Sequence, residues 1–322
     1  MGCIPQQVKR MLVKQKYHLI GTHSAVKKCR WLHKSLVEDK VCYKEKFYGV
    51  RSHLCAQCTP SVIWCPNHCV YCWRIMPKDV GFEWDQLAIS GFKQDEPEDI
   101  YEGVIREQRR ILSGYNPEAN LKVNRDKWVK AQNPKYFAIS LSGEPLLYDK
   151  INDLISYVKS KNKTVFLVTN GQETRKLRDL VEPTQLYLSL SAPDEAVFEK
   201  TCRPIYPDGW SRLQDSLELL ESFKCSTVIR LTLVKGLNML KPEGYAESIL
   251  KANSNYVEVK AAMFVGGTLF RMNFENMPRH SEIKSFAEQI SELTGYSVVN
   301  EALNSRVVLL SKSKKPSKIS GD

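Results

Sequence analysis

Apolar and polar positions alternate along this chain with two different periods. From residue 60 onward, short apolar runs are separated by longer stretches in which apolar residues recur every three or four positions. The short runs predict buried strands, and the longer stretches predict amphipathic helices. We predict strands at 61–64, 136–142, 164–169, 185–191, 227–234 and 256–261. The clearest helices are predicted at 99–113, 150–161, 210–223 and 281–294.

This order of elements predicts an α/β fold with a parallel, curved sheet, because parallel strands need crossover helices on their faces. A partial barrel and an open doubly wound sheet fit equally well, and the strand count does not choose between them. Residues 78–96 interrupt the alternation and predict a loop over the mouth of the sheet. Residues 296–299 and 307–311 predict a terminal β-hairpin.

Three cysteines follow the first predicted strand at the spacing C-x3-C-x2-C, namely Cys65, Cys69 and Cys72. Thiolates at this spacing can bind three irons of a 4Fe-4S cluster and leave the fourth iron open to a small chelating molecule. Zinc is the alternative, although His68 lies inside the loop and is poorly placed to complete a tetrahedral site. Disulfides are disfavoured because the chain does not begin with an apolar signal segment.

A second cysteine set lies upstream, where Cys29, Cys42 and Cys55 follow one another at a step of thirteen residues. Two triples of cysteine predict two clusters. Cys58 complicates this prediction, because Cys55 and Cys58 also form a zinc-like C-x2-C pair. Cys58 could replace Cys55 as a ligand or add a fourth one, and we favour Cys55.

Charge is unevenly distributed along the 322 residues, which carry a net charge of +11. Residues 1–51 contain twelve Lys and Arg against Glu38, Asp39 and Glu45. Aromatic residues interrupt this basic arm, and such a combination can stack on bases while neutralising phosphates, so we predict a nucleic-acid partner. No stretch is long and apolar enough to span a bilayer, and we predict a soluble, cytoplasmic protein.

We predict four segments from these patterns. They are a basic N-terminal extension (1–58), a catalytic α/β region (59–265), a C-terminal helix and hairpin (266–311) and a disordered basic tail (312–322).

Polar residues follow several predicted strands, where ligands bind in parallel α/β folds. Ser142, Gly143 and Glu144 end the second strand, and Thr169 and Asn170 end the third. Ser189 lies on the fourth strand and Arg230 on the fifth. Each is weak support for a site when taken alone, since Asn-Gly and Ser-Gly are common turn sequences.

The cysteine loop together with Gly143-Glu144-Pro145 resembles the radical S-adenosylmethionine (SAM) superfamily, whose second strand ends in Gly-Gly-Glu-Pro. The resemblance covers roughly residues 60–265 and implies a partial (β/α)6 barrel. It implies that Cys65, Cys69 and Cys72 hold a 4Fe-4S cluster and that SAM chelates its open iron. The implied SAM-binding residues are Tyr71 on adenine, Glu144 with the backbone of Ser142 and Gly143 on the methionine ammonium group, and Thr169, Asn170, Ser189 and Arg230 on ribose and carboxylate.

The upstream cysteines narrow the resemblance to the tRNA 4-demethylwyosine synthases, in the short archaeal form without a flavodoxin domain. This resemblance covers nearly the whole chain and implies that Cys29, Cys42 and Cys55 hold the second cluster. The family's lysine falls on Lys44, two residues after Cys42, and is expected to form a Schiff base with pyruvate. Lys46 is the rival nucleophile.

The implied reaction is that of a carbon–carbon lyase class enzyme in wybutosine biosynthesis. N1-methylguanosine beside the anticodon of phenylalanine tRNA condenses with pyruvate to give the tricyclic wyosine core. The family implies an external electron donor, flavodoxin-like or ferredoxin-like, and we expect a monomer. Trp73, Trp84 and Phe92 are candidates to receive the target base. Two alternatives remain, a radical SAM enzyme for a peptide or small molecule and a non-enzymatic zinc protein that binds RNA.

Overall fold

A computed structural model describes residues 4–91, 93–314 and 316–319, without the side chain of Ser90. The strands in this part of the chain are β1 Tyr17–Ile20, β2 Ser24–Lys27, β3 Cys55–Thr59, β4 Tyr136–Ile139, β5 Thr164–Thr169, β6 Gln185–Ser189, β7 Ser226–Leu233, β8 Tyr256–Ala261, β9 Ser297–Ala302 and β10 Val307–Ser311. The α-helices are α1 Gln6–Lys14, α2 Arg30–Val37, α3 Tyr43–Tyr48, α4 Pro77–Val80, α5 Pro97–Ser113, α6 Arg125–Ala131, α7 Ile151–Ser160, α8 Thr174–Arg178, α9 Glu195–Cys202, α10 Gly209–Leu219, α11 Pro242–Ala252 and α12 His280–Thr294.

The chain forms two compact units. Unit 1 comprises Met1–Trp64, Trp84–Leu167 and Lys318–Asp322. In it, β1 and β2 form an antiparallel hairpin, β2 pairs antiparallel with β3, and β3, β4 and β5 run parallel. Helices α5 and α7 cover this sheet, and the rings of Tyr101 on α5 and Phe137 on β4 stack at 5.2 Å. The core of unit 1 therefore lies between parallel strands and their crossover helices.

Unit 2 comprises Cys65–Glu83 and Val168–Ser317. Strands β6, β7 and β8 run parallel, β10 pairs antiparallel with β8, and β9 pairs antiparallel with β10. The register places Ser189, Arg230 and Glu258 in one row across β6, β7 and β8. Helices α11 and α12 pack together, with the rings of Tyr245 and Phe286 meeting edge to face at 5.8 Å.

The predicted α/β class is confirmed, and most predicted elements occur close to their expected positions. The strands at 164–169 and 256–261 have the predicted bounds, and those at 136–142 and 185–191 end two or three residues earlier. The four predicted helices and the terminal hairpin are present. The loop predicted at 78–96 contains the end of α4 and a 3-10 turn at Ala88–Gly91.

One predicted strand is wrong. Residues 61–64 are not a strand, and the first parallel strand is β3 at Cys55–Thr59. Val62, Ile63 and Trp64 are buried, which explains the apolar pattern. Their backbone bonds differ from a ladder, because the Val62 N–H donates to the His23 carbonyl and the Trp64 N–H closes a turn on Ser61. Burial without strand pairing produced the same pattern as a buried strand.

The N-terminal region forms more regular structure than the sequence indicates. The β1–β2 hairpin extends the sheet of unit 1, and helix α1 packs against β1. Gly21 supplies a positive φ of +53° in the hairpin turn. In the tail predicted to be disordered, the Ile319 N–H donates to the Tyr48 carbonyl and the Ser317 N–H to the Tyr256 hydroxyl. Residues 315 and 320–322 of that tail lie outside the described residues.

Candidate active site

The three upstream cysteines of unit 1 each stand at the start of an element. Cys29 immediately precedes α2, Cys42 immediately precedes α3, and Cys55 begins β3. All three are free thiols with partly exposed side chains.

These cysteines are electrostatically coupled to one another and to one lysine. Burial raises the pKa of the Cys42 thiol to about 12, helped by negative charge on Cys29 and Cys55 and opposed by Lys44. Burial also raises the pKa of Cys55 to about 12, with Cys29 again raising it and Lys44 lowering it. Cys29, Cys42, Cys55 and Lys44 therefore form one site within unit 1. The three thiols oppose one another's ionisation, because neighbouring thiolates repel. A cationic iron centre would compensate these negative charges, so the three residues fit such a centre.

A hydrogen-bond network fixes the positions of Cys42 and Cys55. The backbone N–H and the hydroxyl of Ser52 each donate to Glu45 Oε2 at 2.7 Å. The Cys42 N–H donates to the Ser52 oxygen at 2.8 Å. Glu45 thus ties α3 to the turn Ser52–Leu54 that leads into Cys55.

Lys44 and Lys46 lie in different surroundings. The Lys44 Nζ lies 4.6 Å from the centre of the Phe166 ring, which is fully buried on β5. Lys46 is exposed, and its backbone carbonyl accepts a hydrogen bond from Lys318. Of the two candidate nucleophiles, Lys44 is the one whose charge lowers the pKa of both Cys42 and Cys55.

Cys58 raises the pKa of Cys55 electrostatically, but its side chain lies on the other face of β3. Residues three apart on a strand point to opposite faces, so the side chains of Cys55 and Cys58 diverge. Cys58 lines a small apolar cavity with residues of α5, α7 and β4, among them Ile100, Phe137 and Leu154. Burial alone raises its pKa to about 12. This surrounding is that of a core cysteine.

The loop after β4 carries Ser142, Gly143 and Glu144 and is bonded to residues 59–64. The Ser142 hydroxyl donates to the Val62 carbonyl, and the Glu144 N–H donates to the Trp64 carbonyl at 2.8 Å. Gly143 has φ +74°, and a Cβ there would lie 1.7 Å from the Ser61 oxygen. Only glycine permits this approach. Glu144 is 1% exposed, and its Oε1 accepts the Leu146 N–H.

In unit 2, the loop from Cys65 to Cys72 is held against the end of α9. The His68 N–H donates to the Cys202 carbonyl and the Val70 N–H to the Thr201 carbonyl, each at 2.9 Å. Asn67 forms an antiparallel bridge with Pro204. This backbone pairing gives the loop a strand-like support that holds its three cysteines in place.

Side chains of unit 2 contact two of the same three cysteines. The Asn170 amide donates to Cys65 Sγ at 3.4 Å. A hydrogen bond with Cys202, together with burial, raises the pKa of Cys69 well above its usual value. The Tyr71 hydroxyl donates to Ser191 Oγ at 2.7 Å, which fixes the orientation of the ring.

Arg271 clamps the third cysteine, a role that the sequence did not indicate. Its guanidinium donates to the carbonyls of Cys72 and Arg74 and pairs with Asp79 at 2.8 Å. The side chains of Arg271 and Asp79 are 7% and 3% exposed. Arg271 lies almost two hundred residues from Cys72 in sequence, so no local spacing relates the two.

The remaining predicted residues lie on or after β5, β6 and β7. Thr169 Oγ1 accepts the Gly171 N–H within a turn. Ser189 and Arg230 face each other in register. Arg230 donates to Glu258 Oε2 at 3.0 and 2.8 Å and lies over the Tyr187 ring. Glu258 is fully buried, so it holds the Arg230 guanidinium in one orientation.

Among the described residues, no group of three or more His, Cys, Asp and Glu side chains is close enough to bind a single metal ion. A 4Fe-4S cluster does not require such convergence, since each thiolate binds a different iron. Of the aromatic candidates for the target base, Trp73 is 43% exposed and Trp84 is partly exposed. Phe92 lies outside the described residues.

Two family models match the chain in succession. Residues 60–249 match the radical SAM superfamily, and residues 251–312 match wyosine base formation. The S-adenosyl-L-methionine-dependent tRNA 4-demethylwyosine synthase of Pyrococcus abyssi is 45% identical over 95% of this chain and 89% of its own length. The enzyme of the same name from Methanocaldococcus jannaschii is 39% identical over 95% of this chain and 96% of its own length.

Two solved structures have the same fold over their whole length. A structure of TYW1 with a lysine-pyruvate adduct bound is 36% identical and covers 96% of this chain and 97% of its own, with a TM-score of 0.86. The crystal structure of archaeal TYW1 is 34% identical and covers 98% of this chain and 100% of its own, with a TM-score of 0.80. The chain belongs to the tRNA 4-demethylwyosine synthase family of radical SAM enzymes.

Proposed function

We propose that this chain condenses N1-methylguanosine, beside the anticodon of phenylalanine tRNA, with pyruvate to form tricyclic 4-demethylwyosine. The observation that supports this proposal is the electrostatic coupling of Lys44 to Cys42 and Cys55 within unit 1. A lysine in a thiol-lined site is not needed to cleave SAM, but it is suited to hold a carbonyl co-substrate. A related structure contains a lysine-pyruvate adduct, and Lys44 is the lysine that we assign to that chemistry here.

Membership of the radical SAM superfamily implies a 4Fe-4S cluster and SAM as cofactors. When bound, they supply the 5'-deoxyadenosyl radical that removes hydrogen from the N1-methyl group. Cys65, Cys69 and Cys72 are the proposed ligands, supported by the backbone pairing that holds their loop in unit 2. Glu144, Tyr71, Asn170 and Arg230 are proposed to orient SAM, with Ser142, Gly143, Thr169 and Ser189 beside them.

A second cluster is proposed on Cys29, Cys42 and Cys55. The Glu45–Ser52 network supports this assignment, because it bonds the Cys42 N–H and fixes the turn that leads into Cys55. Lys44 is proposed to add its amine to the pyruvate carbonyl and to form an imine with loss of one water molecule. The Phe166 ring then holds the pyruvate-bearing side chain away from bulk water, because its face is apolar and fully buried.

The tRNA partner is supported by exposed basic residues of unit 1. Lys9, Arg10, Lys14 and Lys16 are exposed on and after α1. Such a group attracts phosphates without reading sequence. We also propose an external electron donor, a monomeric state and a cytoplasmic location. No α-helix among the described residues has the length and apolar composition of a membrane span.

The decisive experiment is an anaerobic incubation of the cluster-reconstituted protein with SAM, a reductant, pyruvate and N1-methylated phenylalanine tRNA. Mass analysis of the digested nucleosides should show the tricyclic base only when every component is present. Omission of pyruvate should leave N1-methylguanosine unchanged while SAM is still cleaved. Cleavage of SAM with no change in the nucleoside under complete conditions would favour a different radical SAM substrate. Cys69→Ser is the negative control, since it should cleave no SAM.

A further inference from the structure

A cleft of about 730 Å³ lies in unit 2 beside the cysteine loop. Its walls include His68 from that loop, Lys78 of α4, Glu199 of α9, Arg203, Tyr206 and Phe270. None of the residues to which we assign cluster or SAM binding lines it. The cleft is therefore a separate feature of the same unit.

The walls combine aromatic faces with positive charge. Phe270 is 61% exposed, so the face of its ring is open to solvent. Tyr206 is fixed, because its hydroxyl donates to Glu173 and the Arg212 guanidinium lies 4.3 Å from its ring. Lys78 and Arg203 are both exposed. Arg203 directly follows α9 with a positive φ of +48°, a conformation that few side chains other than Gly, Asn and Asp adopt readily.

We propose that this cleft binds a nucleotide of the substrate RNA that neighbours the reacting base, with the base on Phe270 and Tyr206 and the phosphate on Arg203 and Lys78. The proposal rests on the proposed function. A base that reacts in an enzyme site must leave its stack. Its neighbour in the single-stranded anticodon loop then loses a stacking partner and can stack on an aromatic side chain instead. Aromatic faces with nearby cations are the usual platform for single-stranded nucleic acid.

The size of the cleft favours a nucleotide over a protein surface. A volume of about 730 Å³ lies within the range for small-ligand sites, roughly 300–1,000 Å³. A protein electron donor would bind a surface patch, and even the small interfaces of electron-transfer partners bury roughly 600 Å² per partner. Glu199, the exposed acid of the cleft, should weaken phosphate binding. Asp79 has no such effect, because Arg271 already neutralises it.

The test measures binding of a fluorescent anticodon stem-loop RNA bearing N1-methylguanosine to the reconstituted protein, over a series of salt concentrations. Phe270→Ala should weaken binding by about tenfold with an unchanged salt slope, since stacking does not depend on counterions. Arg203→Gln should weaken binding and reduce the salt slope by about 0.7, the value for one phosphate contact on a single strand. Glu199→Gln should strengthen binding.

Matched controls separate these effects from general changes. Phe274 is 62% exposed and outside the cleft, and Arg110 lies on α5 with a 74% exposed side chain. Phe274→Ala and Arg110→Gln should bind RNA as the unaltered protein does. Iron content and the midpoint of thermal unfolding establish that each variant is folded and loaded. All substituted side chains are exposed, so we expect no loss of folding.

Unaltered RNA affinity in Phe270→Ala and Arg203→Gln would overturn the inference. So would a pattern in which these variants bind RNA normally but are reduced more slowly by an acidic flavodoxin, which would assign the cleft to an electron donor. Failure of the proposed function can be told apart from both outcomes by the nucleoside assay. In that case the unaltered protein would yield no tricyclic product, whatever RNA affinity the variants have.

Discussion

The Nζ of Lys44 lies 4.6 Å from the centre of the Phe166 ring, so a lysine of the first turn of α3 reaches the middle of strand β5. Residues 44 and 46 are two apart on a helix, so their side chains lie on nearly opposite faces, about 160° apart around the helix axis. Only one of them can face β5. Helix geometry therefore separates the two lysines that the sequence could not distinguish.

Substitution of Lys44 should abolish formation of a pyruvate adduct. Lys44→Gln removes the amine, and we expect no mass increase after incubation with pyruvate and borohydride, whereas the unaltered protein should gain one reduced pyruvate adduct. Lys46→Gln is the matched control and should retain the adduct, because Lys46 is exposed and directed elsewhere. Trapping in Lys44→Gln but not in Lys46→Gln would assign the chemistry to Lys46.

Substitution of Cys55 and substitution of Cys58 should affect the iron content of the protein differently. Cys55→Ala should lose about half of the iron of the reconstituted protein, corresponding to one of two clusters. Cys58→Ala should keep all of it, since Cys58 faces an apolar cavity on the other side of β3. Iron analysis and absorbance of the two variants measure this. Loss of iron in Cys58→Ala alone would show that the ligand assignment of this pair is reversed.

Gly143→Ala should destabilise the protein more than Gly236→Ala. Both glycines have positive φ, +74° and +78°, so both variants incur a left-handed backbone penalty of about 1–2 kcal/mol. Only at Gly143 does the added Cβ meet backbone, at 1.7 Å from the Ser61 oxygen, while nothing lies within 4 Å of it at Gly236. Thermal unfolding compares the two. Equal losses of stability in the two variants would mean that the loop carrying Glu144 shifts to accommodate the added Cβ without a further loss of stability.

Removal of the Arg271 clamp should loosen the cysteine loop. Arg271→Gln leaves Asp79 buried without its cation, a change that typically costs about 3–5 kcal/mol. Lys251→Gln breaks the exposed pair with Glu218 and should cost about 0–1 kcal/mol. Unfolding experiments and iron retention test both variants. Retention of full stability and full iron in Arg271→Gln would contradict a clamping role.

The stability of unit 1 should fall as the pH is lowered through the usual pKa of histidine. Burial lowers the pKa of His23 below 6.5. The geometry agrees, since Nδ1–H donates to the Pro60 carbonyl and Nε2 accepts the Asp95 N–H at 2.9 Å, which requires a neutral ring. Below pH 6.5 the unfolded chain therefore takes up a proton that the folded chain does not, and folding weakens.

His23→Gln should reduce this pH dependence. The glutamine amide can donate to one partner and accept from the other but does not titrate. The unfolding midpoint of the variant, measured between about pH 5 and 7, should decline less steeply than that of the unaltered protein. Parallel declines would mean that other groups dominate in this range.

The alternation of strands and helices was sufficient to predict the α/β class, and the C-x3-C-x2-C spacing and the thirteen-residue cysteine step carried the resemblance to the family. These features are local in sequence, and local spacing is what periodicity and motif arguments detect. The error at 61–64 has the same origin. A run of buried apolar residues does not reveal whether its backbone is paired in a ladder.

The amino-acid sequence by itself determined which residues are available for chemistry and roughly which elements carry them. Only the tertiary structure decided that Lys44 rather than Lys46 faces Phe166, that Cys58 belongs to an apolar core, and that Arg271 holds Cys72. Each of these outcomes depends on the face of an element that a side chain occupies, or on contact between residues distant in sequence. Such contacts arise only when the chain packs, because burial and pairing are properties of neighbours in space.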